Sequence, residues 1–353
     1  MTHSADTTVK KTLTDKFGRP MRDLRISVTD RCNFRCTYCM PAEIFGERYE
    51  FLAKPEILSF EETERLARIF ASLRVTKLRI TGGEPLVRAQ LPALIEKLVQ
   101  IEGIDDLALT TNGFLLKQMA ADLKAAGLQR LTVSLDTLDD EISKQMSGRP
   151  YGVGRTLEGI EEAVRVGLGP IKIDTVVQRG VNDHTIVDTA RHFKGTGHIV
   201  RFIEFMDVGN RNGWKLDRVV TAKEIIDAIG AEFPLVPLEP NYRGEVATRY
   251  AYADGAGEIG VIASVSQPFC GDCTRARLTT DGRLVTCLFA SGGTDLKALL
   301  RNGASDEQLV EAITGVWSNR GDRYSELREK NTNWTEAGAG DSRKKIEMYQ
   351  IGG

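Results

Sequence analysis

Apolar and β-branched residues bunch into short runs over the first two-thirds of the chain, at 24–28, 77–81, 107–111, 131–135, 171–177 and 199–205. Runs of five to seven residues have the length of parallel strands buried on both faces. Between them the apolar period lengthens. Ser59 and Glu62 have capping-box spacing, and Leu66, Ile69, Phe70 and Leu73 then recur at helical intervals. The segments 91–101, 115–126 and 158–166 read as further amphipathic helices. Six β-α repeats imply a parallel sheet with helices packed on it. Six units fall short of an eightfold closed barrel, so the expected fold is α/β, a partial (β/α)6 TIM-type barrel with an open side.

The pattern changes after residue 207. A polar loop at 207–218 precedes a helix at 221–229, whose Thr221 and Glu224 again have capping spacing. A proline-containing loop is expected at 234–244 and strands at 249–252 and 258–265. The runs 276–280 and 284–288 flank Asp281-Gly282, a hairpin signal. Helices follow at 296–300 and 306–316, and the polar end from Asn331 reads as loosely ordered. The expected division is a disordered tail at 1–16, the barrel at 17–220, and an α+β extension at 221–353 ending in Gly352-Gly353.

Composition narrows the function. The 353 residues are 41% hydrophobic and 27% charged with net charge -2, an ordinary globular balance. That balance argues against nucleic-acid and anionic-membrane partners, so any anion site has to come from locally placed Arg and Lys. No apolar run is long enough for a bilayer and no secretory signal is evident, so a cytoplasmic location is expected. There, the six cysteines favour metal binding or catalysis over disulfides.

Cys32, Cys36 and Cys39 form C-x3-C-x2-C directly after the first strand, at the end of a β-α barrel where chemistry sits. A structural zinc takes four ligands, and none of the four histidines, His3, His184, His192 and His198, lies near in sequence. A [4Fe–4S] cube on three cysteines fits better and leaves one iron open to a small-molecule chelator. A zinc knuckle or three unrelated buried cysteines are the alternatives. The segment Cys32-Asn33-Phe34-Arg35-Cys36-Thr37-Tyr38-Cys39 resembles the signature of the radical S-adenosylmethionine (SAM) superfamily. The resemblance implies SAM chelated to the open iron and reductively cleaved to a 5'-deoxyadenosyl radical, with Tyr38 beside the adenine. Gly82-Gly83-Glu84-Pro85, after the second strand, lets a backbone approach a ligand closely or is an ordinary β-α turn. It resembles the superfamily segment that meets the SAM amino group.

Cys270, Cys273 and Cys287 form a second triplet, C-x2-C-x13-C, which the hairpin would draw together. A second cube is expected, with zinc completed by Asp or water as the alternative. Arg275 and Arg277, two apart on a strand, face the same side and suit phosphate oxygens next to a cluster at the barrel mouth. Arg25, Arg79 and Lys172 lie inside apolar strands, where an unpaired charge is costly. Converging, these five cations would suit a polyanion; singly, each could be a structural ion pair.

Together the motifs resemble the GTP 3',8-cyclase family (molybdenum cofactor biosynthesis protein A). The resemblance runs from about Phe17 to the end and includes Thr29-Asp30-Arg31, Leu109-Thr110-Thr111-Asn112-Gly113 and Arg201-Phe202-Ile203-Glu204-Phe205-Met206. It implies one [4Fe–4S] cluster on Cys32, Cys36 and Cys39, and another on Cys270, Cys273 and Cys287 whose open iron meets guanine. It implies SAM contacts from Tyr38, Gly83, Ser134 and Met206, and GTP contacts from Arg25, Arg79, Thr110, Lys172, Arg275 and Arg277. Arg275 and Arg277 join the first cysteine triplet as the expected catalytic set. The implied reaction joins ribose C3' of GTP to guanine C8, giving (8S)-3',8-cyclo-7,8-dihydroguanosine 5'-triphosphate, the first step of molybdenum cofactor biosynthesis. Positioning and exclusion of competing hydrogen donors would be the protein's share. A cyclic pyranopterin phosphate synthase would take the product, and a flavodoxin- or ferredoxin-type donor would supply electrons to a monomer or homodimer. Asp174 stands where the family often has Asn, and its role stays open, as does a Mg²⁺ on the triphosphate. The Gly352-Gly353 tail is expected to reach into the cavity, where only a chain without side chains fits. A radical SAM peptide-modifying maturase is the alternative enzyme, though it usually carries more C-terminal cysteines; a non-catalytic cluster scaffold is the alternative binding module.

Overall fold

Residue alternation within the strands decides both the core and the cavity. In the computed structural model, which describes residues 12–46, 48–330 and 344–352 (329 and 330 without side chains), Leu24 and Ile26 point to the helices and are buried. Arg25, between them, points the other way. Leu78 and Ile80 flank Arg79 in the same manner. Each such buried Leu or Ile stabilises the fold by roughly 1.5–3 kcal/mol.

The strands are β1 (Asp23–Ser27), β2 (Lys77–Thr81), β3 (Asp106–Thr111), β4 (Arg130–Ser134), β5 (Lys172–Val177), β6 (Ile199–Glu204), β7 (Leu235–Leu238), β8 (Thr248–Tyr252), β9 (Glu258–Ile262), β10 (Arg275–Leu278), β11 (Arg283–Val285) and β12 (Thr294–Asp295). They form one sheet in the order β12-β11-β10-β1-β2-β3-β4-β5-β6-β9-β8-β7. The six central strands are the expected parallel β-α set. Helices Phe60–Ser72, Leu91–Val99, Leu116–Ala125 and Gly154–Arg165 cover it through Leu66, Phe70, Leu94, Leu98, Leu123 and Ile160. Ser59 and Glu62 cap the first of these reciprocally.

Residues beyond 220 do not build a sheet of their own. They supply both edges of the barrel sheet. β10 adds to β1 and β9 adds to β6, both parallel, so the parallel run has eight strands rather than six. Glu204, buried at the end of β6, fastens this extension: it accepts from the N–H groups of Ala222 (2.6 Å), Val265 (2.7 Å) and Ser266 (2.8 Å).

Other features depart from the sequence pattern. Within the tail expected at 1–16, residues 12–16 are structured: Thr14 bridges Pro20, and Asp15 is buried. Residues 1–11 lie outside the described residues, as do 331–343, on which most of the loosely ordered end was placed, and Gly353. The loop expected at 234–244 contains β7, an edge strand in which Pro237 is tolerated. Helices Asp140–Ser147, Ile186–Phe193, Tyr324–Lys330 and Met348–Ile351 have no counterpart in the pattern. Each has eight residues or fewer, too few for a helical period to emerge. No helix among the described residues is long and apolar enough to cross a membrane.

Candidate active site

All six cysteines border one cavity inside the curved sheet, and none is in a disulfide. Their places follow from topology. Cys32 comes after the C-terminal end of β1. Cys270 and Cys273 come before the N-terminal end of its parallel neighbour β10, and Cys287 follows the antiparallel β11 back to that same end. The triplets therefore occupy opposite ends of one strand pair, separated by about a strand's length, on the order of 15 Å. The second triplet is thus not at the barrel mouth, where the sequence placed it.

Between them, at mid-strand, register sets three arginines side by side: Arg277 on β10, Arg25 on β1 and Arg79 on β2. All three line the cavity. Among the described residues none of them has a carboxylate within ion-pair distance. Burial, then the neighbouring Arg277 and Arg79, pull the Arg25 guanidinium well below its usual range. Burial and Arg275 bring Arg277 down to about 10. Arg79 donates to Thr110 Oγ1 at 3.0 Å and Thr132 Oγ1 at 2.9 Å, and Arg277 to the Gly352 carbonyl at 2.7 Å. Such a row of buried guanidiniums without ion-pair partners suits a polyanion.

Lys172 does not line this cavity. It stands at the start of β5 in register with Thr132. Burial and the charges of Arg201, Arg130 and Arg79 push its ammonium down to about 8. Asp174 accepts from Arg201 Nε at 2.6 Å and Nη2 at 2.8 Å, and so orients a further arginine of the cavity wall.

Around the first triplet two carboxyls stand beside two arginines: Arg35, which donates to the Cys32 carbonyl at 2.7 Å, and Arg149. Tyr38 donates to Asp136 Oδ2 at 2.7 Å, and burial pushes that carboxyl up to about 6. Burial raises Glu84 to about 7 although it accepts from Asn112 N–H (2.7 Å) and Thr111 Oγ1 (2.7 Å). Burial and Glu84 together raise the Cys32 thiol to about 12. Gly83, Ser134 and Met206 line the cavity near these groups. The two glycines of the Gly82-Gly83-Glu84 turn serve a chain contact: a Cβ on Gly83 would fall 2.4 Å from the Arg31 carbonyl, and one on Gly82, at φ +151, 2.5 Å from that of Thr29. The Gly83 N–H donates to the latter at 2.7 Å.

The second triplet is cationic. Burial opposes ionisation of Cys273, but Arg275 and Arg320 outweigh it and bring the thiol to about 6. Both guanidiniums donate to its Sγ at 3.2 Å.

Among the described residues, no three Cys, His, Asp or Glu side chains are gathered to enclose a single metal ion. Three cysteines at each end of the cavity, with N–H donors on Cys32 and Cys273, suit a cube with one open iron.

Residues 26–193 match the Radical SAM superfamily, and residues 198–326 match Molybdenum Cofactor Synthesis C. The GTP 3',8-cyclase of Xanthomonas axonopodis pv. citri is 52% identical over 339 residues, 96% of this chain and 98% of that one. The chain belongs to the GTP 3',8-cyclase family. The enzymes of that name from Acidothermus cellulolyticus (49% identity, 96% of this chain and 98% of that one) and Staphylococcus epidermidis (49%, 98% and 100%) are similar along their whole length. Streptococcus suis SuiB bound to S-adenosylmethionine shares the fold, with TM-score 0.60 at 16% identity over 90% of this chain and 70% of that chain. Family membership sets aside the peptide-modifying and scaffold alternatives.

Several groups at the site escaped the sequence reading. Arg201 lay inside a quoted motif without a role. Arg19, Asp136 and Arg320 carry no motif and reach the cavity only through the fold. Of the tail, Gly352 reaches the cavity wall, where its carbonyl accepts from Arg277. Gly352, at φ +66, is crowded by the protein itself, since a Cβ there would fall 2.0 Å from Thr81 Cγ2. Gly353 lies outside the described residues.

Proposed function

We infer that the cavity holds SAM at one end and GTP along its arginine row, so that a radical generated at the first triplet acts on the ribose of the nucleotide. The chain is a radical SAM lyase that converts GTP to (8S)-3',8-cyclo-7,8-dihydroguanosine 5'-triphosphate, opening molybdenum cofactor biosynthesis. Its cofactors are a [4Fe–4S] cluster and SAM; the cluster, when bound, supplies the electron that cleaves SAM.

Cys32, Cys36 and Cys39 would hold that cluster, with the Phe34 N–H donating to Cys32 Sγ at 3.3 Å. Tyr38, Gly83, Ser134 and Met206 would contact SAM. Asp136 fixes the Tyr38 ring through its hydroxyl. A second cluster on Cys270, Cys273 and Cys287 would grip the purine, supported by three thiols around one space and two guanidiniums on Cys273. Arg25, Arg79, Thr110, Arg275 and Arg277 would bind the nucleotide, with Lys172 adding charge beyond Thr132. The wall also excludes water and stray hydrogen donors from the reacting carbon. The carrying observation is the adjacent row Arg277, Arg25, Arg79, which among the described residues has no carboxylate within ion-pair distance and lies between the two triplets. Hand-off to a cyclic pyranopterin phosphate synthase and reduction by a flavodoxin or ferredoxin complete the proposal.

The test is anaerobic reconstitution with iron and sulfide, then dithionite, SAM and GTP. About eight irons per chain, four per cube, and a cyclised guanosine triphosphate are expected. Intact GTP beside released 5'-deoxyadenosine would overturn the nucleotide assignment.

A further inference from the structure

The second triplet is backed by residues from the two ends of the chain. Arg320, just beyond the helix Asp306–Ser318, has a side chain only 2% exposed. It donates to Cys273 Sγ at 3.2 Å, to the Cys273 carbonyl at 2.8 Å, to Asp15 Oδ2 at 3.2 Å and to Asp322 Oδ2 at 3.3 Å. Its guanidinium lies 4.5 Å from the Trp317 ring centroid. Arg19, 1% exposed, donates to Asp15 Oδ2 at 2.6 Å and to the carbonyls of Cys270 (2.6 Å) and Asp322 (2.9 Å). The Trp317 indole N–H donates to the Arg19 carbonyl at 3.0 Å. Arg19 borders the cavity, and its Nη2 is buried without a hydrogen-bond partner among the described residues.

Arg19 and Arg320 thus share the Asp15 carboxylate, Arg320 also pairs with Asp322, and Arg275 adds a third cation on the cavity side, leaving three guanidiniums against two carboxylates. At the first triplet the cations stop short of sulfur. Arg35 donates to the Cys32 carbonyl at 2.7 Å, and its charge and that of Arg149 act on the Cys32 thiol, but the donors to Cys32 Sγ are the uncharged Phe34 N–H at 3.3 Å and Asn112 amide at 3.9 Å.

We propose that Arg320 and Arg19, held by Asp15 and Trp317, are positioning residues for the second cluster that raise its reduction potential. Reduction adds one negative charge to the cube. Hydrogen bonds to its sulfurs and buried positive charge stabilise that state over the oxidised one. The spare Arg19 Nη2 supplies a further donor toward the same space. The inference rests on the reading that Cys270, Cys273 and Cys287 hold a cluster. Its consequence is that residues 15–19 belong to the active site although no sequence motif marks them.

The experiment uses the full chain, reconstituted anaerobically, as wild type, Arg320→Met, Arg320→Lys and Asp15→Asn. Iron per chain and thermal midpoint are measured first. Both clusters are then titrated with dithionite under EPR, and SAM identifies the first by perturbing its signal alone. In Arg320→Met the reduction equilibrium of the second cluster is expected to become about tenfold less favourable, a shift of 59 mV for one electron, with the first cluster unmoved. Arg320→Lys restores most of this, and Asp15→Asn, which removes the carboxylate that partly neutralises both guanidiniums, shows a smaller shift in the opposite direction. An unchanged second potential in Arg320→Met, or equal shifts in both clusters, overturns the proposal. Where Arg320→Met sheds iron, Arg320→Lys and Asp15→Asn decide, and wild-type potentials in both overturn it. Four irons in the wild type overturn the second cluster itself, and this inference with it.

Discussion

The two cysteine triplets border one cavity yet differ in how charge meets their sulfurs. Around Cys32, Cys36 and Cys39 the carboxyls of Glu84 and Asp136 stand with the guanidiniums of Arg35 and Arg149, no guanidinium donates to sulfur, and burial drives acids and thiols toward their neutral forms. Cys273 has Arg275 and Arg320, and its thiol is drawn the other way. The contrast matches the ligands proposed for each end. SAM brings its own positive sulfonium and ammonium, which carboxylates welcome; a nucleoside triphosphate needs cations. The chain separates the two triplets by about one strand length, on the order of 15 Å, and fills the interval with arginines.

The sharpest way to break this division is to delete one triplet at a time. Cys36→Ala is expected to reduce SAM cleavage to background, a loss on the order of a thousandfold or more, because positioning by the cluster is removed. Cys273→Ala is expected to keep SAM cleavage while the cyclised product disappears. Product and 5'-deoxyadenosine are followed by anaerobic chromatography, and loss of SAM cleavage in both variants would contradict the division.

A smaller effect is expected along the row. Arg25→Gln removes one buried charge-assisted contact, about 1.5–3 kcal/mol, so GTP binding should weaken roughly tenfold to 150-fold while SAM binding is unchanged. The same variant is expected to raise the thermal midpoint of the ligand-free protein, since it relieves repulsion within the row. Anaerobic calorimetry and a melting curve check the pair.

Beside the first triplet, Asp136→Asn keeps a hydrogen bond to Tyr38 but loses the charge. SAM affinity is expected to fall by about 0.5–1.5 kcal/mol and GTP affinity to hold. A change in GTP rather than SAM affinity would reverse the assignment of the two ends.

The mildest expected effect lies with Lys172, pushed down to about 8. Between that value and its unperturbed 10.5, the unfolded chain holds more of this proton than the folded one. Its destabilising contribution is therefore full below pH 8 and lifts as pH rises toward 10.5. A triphosphate nearby would restore the charge, so GTP binding at pH 8 should take up about half a proton. Calorimetry in buffers of different ionisation enthalpy reads this uptake, which Lys172→Met should abolish.

The central strands and longer helices were legible because each is long enough to display its own period, and the capping box at Ser59 and Glu62 marked a true helix start. The short helices and β7 were not, having too few apolar positions to repeat. The hairpin was legible from Asp281-Gly282, and Gly282 does adopt φ +81 there. What that hairpin joins was not: β10 pairs with β1, some 250 residues earlier, and nothing local announces it.

By itself, the sequence determined the family and marked the candidate cluster and anion-binding residues. Cysteine spacing, the glycine turn and arginines inside apolar strands are local patterns, set by metal coordination, backbone clearance and the cost of a buried charge. Only tertiary structure decided who stands beside whom. Register across β10, β1 and β2 aligned three arginines, and parallel pairing sent the second triplet to the far end of the strands. Docking of residues 15–19 against Arg320 gave that triplet its cationic wall. Such neighbours come from pairing between distant segments, where charge is felt through space and leaves no periodic mark along the chain.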